Sequence, residues 1–110
     1  MHTYYVYLTT NPRRSVLYTG VTNYLVRRIE EHQEAALKAR KSFSGRYNCF
    51  CLVYWEDFQY VDEAIAREKE IKGWRRKKKE ALIATLNPTW RFLNDEVGCS
   101  PMIQATASTE

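Results

Sequence analysis

Glu68 sits where a carboxylate needs a reason. Val61, Ala64, Ile65, Glu68 and Ile71 fall on one face at helical spacing, and the other four are apolar. A carboxylate buried in such a stripe must be paired, hydrogen-bonded or metal-bound, because burying it bare is expensive. Two readings stand: an ion pair with an arginine, or a loose hold on Mg²⁺ with waters and a substrate phosphate completing the octahedron. Arg28 and His32 are four apart and share a helix face one turn from each other. A guanidinium presents a planar fork that suits phosphate. An imidazole can donate to a phosphate oxygen or move a proton near neutral pH. On an arbitrary chain the pair would be a plain surface turn. Tyr5, Tyr7 and Tyr18 add phenols whose ordinary role in a strand is packing with a satisfied hydroxyl. From Arg67 to Lys79 eight basic residues face two acids, a net +6 over 13 residues. A solubility face mixes signs more evenly, so Lys72, Arg75, Arg76, Lys77, Lys78 and Lys79 read as a phosphate-contacting patch.

These side chains need a scaffold to converge. Thr3 to Thr9 is β-branched and aromatic, which suits a strand with Tyr5, Tyr7 and Thr9 on one face. Asn11-Pro12-Arg13-Arg14 signals a turn, and Ser15 to Thr19 a second strand stopped by Gly20. Val16 and Tyr18 share a face of that strand. A helix capped by Thr22 or Asn23 runs to about Ala39, with Leu25, Ile29, Ala36 and Leu37 as its apolar stripe. Residues 40–48 read as an exposed loop. Phe50 to Trp55 is an apolar run, which predicts a central third strand. A second helix spans about Asp62 to Lys72 and stops at Gly73. A third spans about Arg75 to Leu86, with Leu82 and Leu86 inward, and ends at Asn87-Pro88. The order is β-β-α-β-α-α, an α/β (α+β) chain whose faces a three-stranded sheet flanked by helices would bury.

The ordered combination is more specific than any part. Tyr5-Val6-Tyr7, then Tyr18-Thr19-Gly20, then Arg28 and His32, then Glu68 resembles the GIY-YIG nuclease superfamily. Tyr18 lies eleven residues after Tyr7 and ten before Arg28, both normal for that family. Arg-Glu-Lys-Glu-Ile-Lys-Gly-Trp (67–74) and Asn87-Pro88-Thr89-Trp90 resemble the small stand-alone bacterial branch. That branch is similar to the catalytic N-terminal domain of the excision-repair endonuclease. The resemblance implies an antiparallel sheet and Mg²⁺- or Mn²⁺-dependent hydrolysis of one strand per event. By position it implies Tyr7 as general base or water-orienting phenol, and Tyr18 orienting water or phosphate. It implies Arg28 on the scissile phosphate, His32 assisting and Glu68 on the metal. A free phenol, with a pKa of about 10, is a poor base at neutral pH. Cations beside Tyr7, Arg28 and a metal ion, would favour its phenolate. The family's later asparagine maps to Asn87, with Asn94 the second choice. Tyr5 and Thr19 replace the family's Gly and Ile. Val21 stands where some members carry a lysine. Lys41 and Arg46 are the basic stand-ins chosen for a second histidine of homing-type members.

Bulk properties set the frame. The 110 residues, 45% hydrophobic and 27% charged with a net charge of +4, suit one soluble domain. Residues 1–95 form the expected domain, and 96–110 a disordered tail. Cys49, Cys51 and Cys99 make neither a disulfide framework nor a zinc site and read as reduced thiols. No apolar run reaches membrane-spanning length and no signal peptide is evident, so the expectation is a cytoplasmic monomer without a membrane partner. The expected partner is nucleic acid, DNA ahead of RNA, with a repair protein as a further candidate. Two rivals to a nuclease remain: a binding module with dead chemistry, and an accessory protein docking on a repair partner.

Overall fold

The computed structural model describes residues 3–39 and 49–99, Ala39 by its backbone alone. Elements follow the order β1 (Tyr4–Thr10), β2 (Leu17–Thr22), α1 (Leu25–Ala39), β3 (Cys51–Phe58), α2 (Val61–Lys72) and α3 (Arg76–Leu86). The sheet is antiparallel in the order β2-β1-β3. β1, not β3, is therefore the central strand. The predicted loop, with Lys41 and Arg46, lies outside the described residues, as does most of the predicted tail.

Alternation along β1 divides the interior in two. Val6 and Leu8 point to one face, where they pack with Ala64 and Ile71 of α2 and Ile83 of α3. Tyr7 points to the other, where it packs with Leu25 and Ile29 of α1, Leu52, Leu93 and Cys99. Each fully buried aliphatic side chain contributes roughly 1.5–3 kcal/mol. On α3 the buried residue is Ile83, while Leu86 is exposed; on α1 Leu37 is exposed. Val61 and Ile65 are exposed as well, so the buried stripe of α2 narrows to Ala64, Glu68 and Ile71.

β3 carries a bulge. Leu52 stands opposite Thr9 and Tyr54 opposite Leu8, which leaves Val53 without a partner in register. Val53 and Tyr54 consequently both face α2 and α3, while Leu52 and Trp55 face the α1 side. The apolar run that suggests a central strand is explained by the outer edge of β3. There the Leu93 amide donates to the Leu52 carbonyl at 2.7 Å. The Leu52 amide donates to Asn94 Oδ1 at 2.9 Å, and Asn87 Nδ2 donates to the Val53 carbonyl at 3.1 Å. Residues 87–94 thus cover an edge strand, so it buries apolar residues as a central strand would. Val97 and Cys99 continue that packing onto α1, past the expected boundary at residue 95.

The β1–β2 turn is held by a side chain. Asn11 Oδ1 accepts from the Ser15 and Val16 amides at 2.8 and 3.1 Å. Arg14 adopts the left-handed conformation there, with φ 59°. Arg76 at the start of α3 reaches over, donating to the Ser15 carbonyl at 2.7 Å and the Arg14 carbonyl at 2.9 Å. The beginning of α3 and the turn leading into β2 are thereby locked together.

Candidate active site

Gly20 does not stop β2. It lies inside the strand, opposite Tyr7. A Cβ at this position would fall 2.5 Å from both Cζ and the hydroxyl of Tyr7, and 3.0 Å from Cε2 of Tyr18. The missing side chain is the slot in which the Tyr7 phenol lies across β2. Thr9 pairs with Tyr18, so Tyr7, Tyr18 and Gly20 share one face by the two-residue period. Onto that face α1 brings His32 and Arg28.

His32 closes a three-ring cluster. Its ring centroid lies 6.0 Å from Tyr7 and 5.5 Å from Tyr18, both edge-on, and the two tyrosine rings are 6.3 Å apart. The Tyr7 hydroxyl lies 3.1 Å from His32 Nε2. Burial, reinforced by the positive charge of Arg28, holds His32 below its ordinary 6.5, with Glu31 partly opposing. The imidazole is therefore neutral at neutral pH. In the tautomer protonated on Nδ1, Nε2 accepts the Tyr7 proton.

The phenol itself is raised. Burial lifts Tyr7 from 10.0 to about 12, and the Arg28 guanidinium only partly offsets this. Arg28 by itself does not favour the phenolate: desolvation of a residue that is 1% exposed outweighs the guanidinium's charge. Arg28 is aimed by Glu31, which accepts from Nη1 at 3.0 Å. Glu31 first, and the Tyr7 hydroxyl second, hold the Arg28 guanidinium further above its ordinary range. Sequence reasoning misses Glu31, although its spacing of three from Arg28 is the signal that could find it.

Glu68 comes from the opposite side. It belongs to the buried stripe of α2, against β1 and β2, and its partner is Lys72, whose Nζ lies 3.0 Å from Oε2. The cation is a lysine one turn along, not an arginine; Arg67 instead clamps Glu56 at 2.9 Å. Lys72 is exposed, and the Glu68 carboxylate holds its amine above the ordinary value, with Tyr18 adding to the effect. Among the described residues no group of three or more His, Cys, Asp or Glu could cage a metal. Glu68 still fits a single-carboxylate site, because its ion pair engages Oε2 and Lys72 can swing away into solvent.

Other predicted residues are placed differently. Asn87 is buried, with Nδ2 donating to the Val53 and Arg91 carbonyls and Oδ1 accepting from the Arg91 amide at 3.1 Å. Asn94 is engaged likewise, with Gln33 and the Phe50 carbonyl each 2.8 Å from Nδ2. Both hold the β3 edge, across the sheet from β2. In the basic run, Arg76 is tied to the turn and to Glu80, and Lys78 Nζ lies 4.4 Å above the Trp74 ring. Arg75, Lys77 and Lys79 have no acidic partner among the described residues. Because Arg76 grips Ser15, this basic corner borders the end of β2 that carries Tyr18.

A model of the GIY-YIG catalytic domain matches residues 3–81. The chain is 39% identical over 79 residues to a UPF0213 protein of Haloquadratum walsbyi, covering 72% of this chain and 84% of that protein. It is 40% identical over 81 residues to a UPF0213 protein of Natronomonas pharaonis, covering 74% of this chain and 91% of that one. The solution NMR structure of a UPF0213 protein from Bacillus halodurans is similar with a TM-score of 0.51 and 31% identity, covering 89% of this chain and 99% of that one.

Proposed function

Because the chain belongs to the GIY-YIG family, among its small stand-alone UPF0213 members, we propose that it is a divalent-metal-dependent endonuclease cutting one nucleic-acid strand per event, DNA ahead of RNA. The observation that carries this reading is the Tyr7 hydroxyl on His32 Nε2, in the slot that Gly20 leaves open. Burial, which lifts the phenol to about 12 despite Arg28, disfavours a standing phenolate at neutral pH. The phenol can serve as a relay. Tyr7 takes a proton from an attacking water while handing its own to neutral His32, so no free phenolate forms. The water oxygen forms its bond to phosphorus as the bond to the leaving oxygen breaks. Arg28, steadied by Glu31, clamps the phosphate and offsets its growing charge. Tyr18, exposed beside the two rings, orients the water or a phosphate oxygen.

Glu68 would hold Mg²⁺ or Mn²⁺, which when bound supplies Lewis-acid stabilisation of the phosphate and leaving oxygen. Arg75, Lys77 and Lys79 would follow the flanking phosphates, giving salt-sensitive affinity with little sequence preference.

The test is nicking of supercoiled plasmid, single-stranded DNA and RNA, with Glu68→Ala alongside. Cleavage that needs Mg²⁺ or Mn²⁺ and vanishes in Glu68→Ala is the expected result. Absence of cleavage on all three substrates, with nucleic-acid binding intact, would instead make the protein a binding module.

A further inference from the structure

The face that carries Tyr7 continues into a groove that the relay does not use. Tyr5, two residues before Tyr7, and Trp55, opposite Tyr7 in register, form one wall, their rings edge-on at 5.9 Å. Tyr24, Leu25, Val26 and Val97 line the same groove. The groove encloses about 640 Å³, within the usual range for small-molecule sites. Tyr24 is 61% exposed, the most exposed large apolar side chain among the described residues. The one acid at the rim, Glu96, is already paired with Arg91.

A second, smaller depression adjoins it, of about 330 Å³. Thr22, Asn23, Tyr24, Arg27, Arg28 and Glu31 line this one, so Tyr24 and Asn23 belong to both. Arg27 and Arg28 share a single carboxylate, Glu31, at 3.6 and 3.0 Å. Two cations on one anion leave the depression net positive. An aromatic trough beside a cationic one, joined through a shared tyrosine, matches a flat ring on an anionic tether. Since Arg28 also belongs to the tyrosine–histidine cluster, the ring would belong to a nucleotide at or next to the phosphate being cut.

We propose that the groove of Tyr5, Tyr24 and Trp55 is a subsite for an unpaired nucleobase, which stacks on Tyr24 while its phosphate meets Arg27 and Arg28. This rests on the nucleic-acid reading above and narrows it. A base inside a duplex has both faces covered by its neighbours, so the subsite selects single-stranded, flapped or extruded nucleotides. Stacking on an aromatic ring tolerates any base, so the selection is for unpaired structure rather than for sequence.

The experiment is fluorescence anisotropy of the full chain in EDTA, which suppresses cleavage. The probes are a labelled oligothymidylate and a strand of equal length and charge whose central residues are abasic. The parent is expected to prefer the base-bearing strand about tenfold or more. Tyr24→Ala should bring that ratio to about one, leave affinity for the abasic strand at the parental value, and be rescued by Tyr24→Trp. Equal binding of the two strands by the parent would overturn the subsite while leaving the nucleic-acid reading standing. So would a ratio that survives Tyr24→Ala. Failure of the parent to bind either strand would remove the nucleic-acid reading itself, and the subsite with it.

Discussion

Two polar networks in this small protein are built from nearly the same residue types and end in opposite conditions. On β3 and α2, the Tyr54 hydroxyl donates to Glu56 at 2.5 Å, and Arg67 grips both Glu56 oxygens at 3.0 and 2.9 Å. Arg67 also donates to Glu70 and covers the Trp74 ring. On β1 and α1, Tyr7 again faces an arginine and a glutamate, but Arg28 is turned onto its own neighbour Glu31, and the phenol meets His32. In the first network every strong donor meets a carboxylate. Burial pushes Glu56 up, yet the Arg67 and Tyr54 hydrogen bonds outweigh it and leave the group below its ordinary 4.5. In the second, the phenol meets a neutral base that can still take a proton. The first network has settled where its protons lie; the second retains somewhere for one to move. Position of a histidine, rather than the inventory of tyrosine, arginine and glutamate, separates a brace from a site.

The sharpest way to break this contrast is to remove each hydroxyl. Tyr7→Phe is expected to lower the initial nicking rate by about 10²–10⁴-fold with the fold intact, the range for a lost proton-transfer group. Tyr54→Phe is expected to leave the rate of folded protein near the parental value. Equal rates for parent and Tyr7→Phe would remove Tyr7 from the chemistry.

Next in size is the converse on the arginines. Arg67→Ala is expected to destabilise by about 1.5–3 kcal/mol in urea unfolding, because partly buried hydrogen bonds to a charged partner are lost. Arg28→Ala, whose guanidinium is more exposed, is expected to change the midpoint little and the cleavage rate strongly.

Gly20→Ala is expected to combine the two kinds of damage. The added methyl meets the Tyr7 ring, so overpacking of roughly 1–3 kcal/mol should accompany a loss of cleavage. A Gly20→Ala protein with parental rate and midpoint would mean that Tyr7 does not need its slot.

The smallest expected effects are those of pH. The relay needs neutral His32, so the rate should rise with pH through an inflection below 6.5 and be level at neutrality. Stability follows the same sign for this group. Its pKa is depressed on folding, so its contribution is complete above 6.5 and is lost as pH falls through the folded value. Tyr7 runs the other way, its contribution complete below 10.0 and lost as pH rises through about 12. Rate–pH profiles and urea midpoints across the same range check both.

How much of this is legible in the sequence depends on how local each relation is. Strand period and helix turn are properties of neighbours in the chain, so Tyr7 with Tyr5, and Arg28 with His32, can be placed on their faces directly. Gly20 cannot be read correctly from its neighbours. As a strand stop it obeys local rules, but its role is set by a ring thirteen residues earlier on the adjacent strand. The apolar run of β3 reads wrongly as central for a similar reason, since its cover comes from Leu93 and Asn94, about forty residues later. Asn87 and Asn94 stand out as polar residues after the last helix, and nothing in their surroundings reveals that backbone groups of β3 occupy their amides. The Glu68 partner is open to reading, because Lys72 lies one helical turn along; a preference for arginine obscures it.

The clasp on β3 also sets an order of events during synthesis. A ribosome delivers the three strands, α2 and α3 before it delivers Leu93 and Asn94. For that interval the nascent sheet has a bare outer strand, with the Leu52 amide and carbonyl turned outward and unpaired by the segment that later covers them. Such an edge invites pairing with another chain. Folding of this domain is therefore finished from its last segment, and a transcript cut short before Asn87 would yield a chain with most of the proposed chemistry present and its most adhesive strand left open.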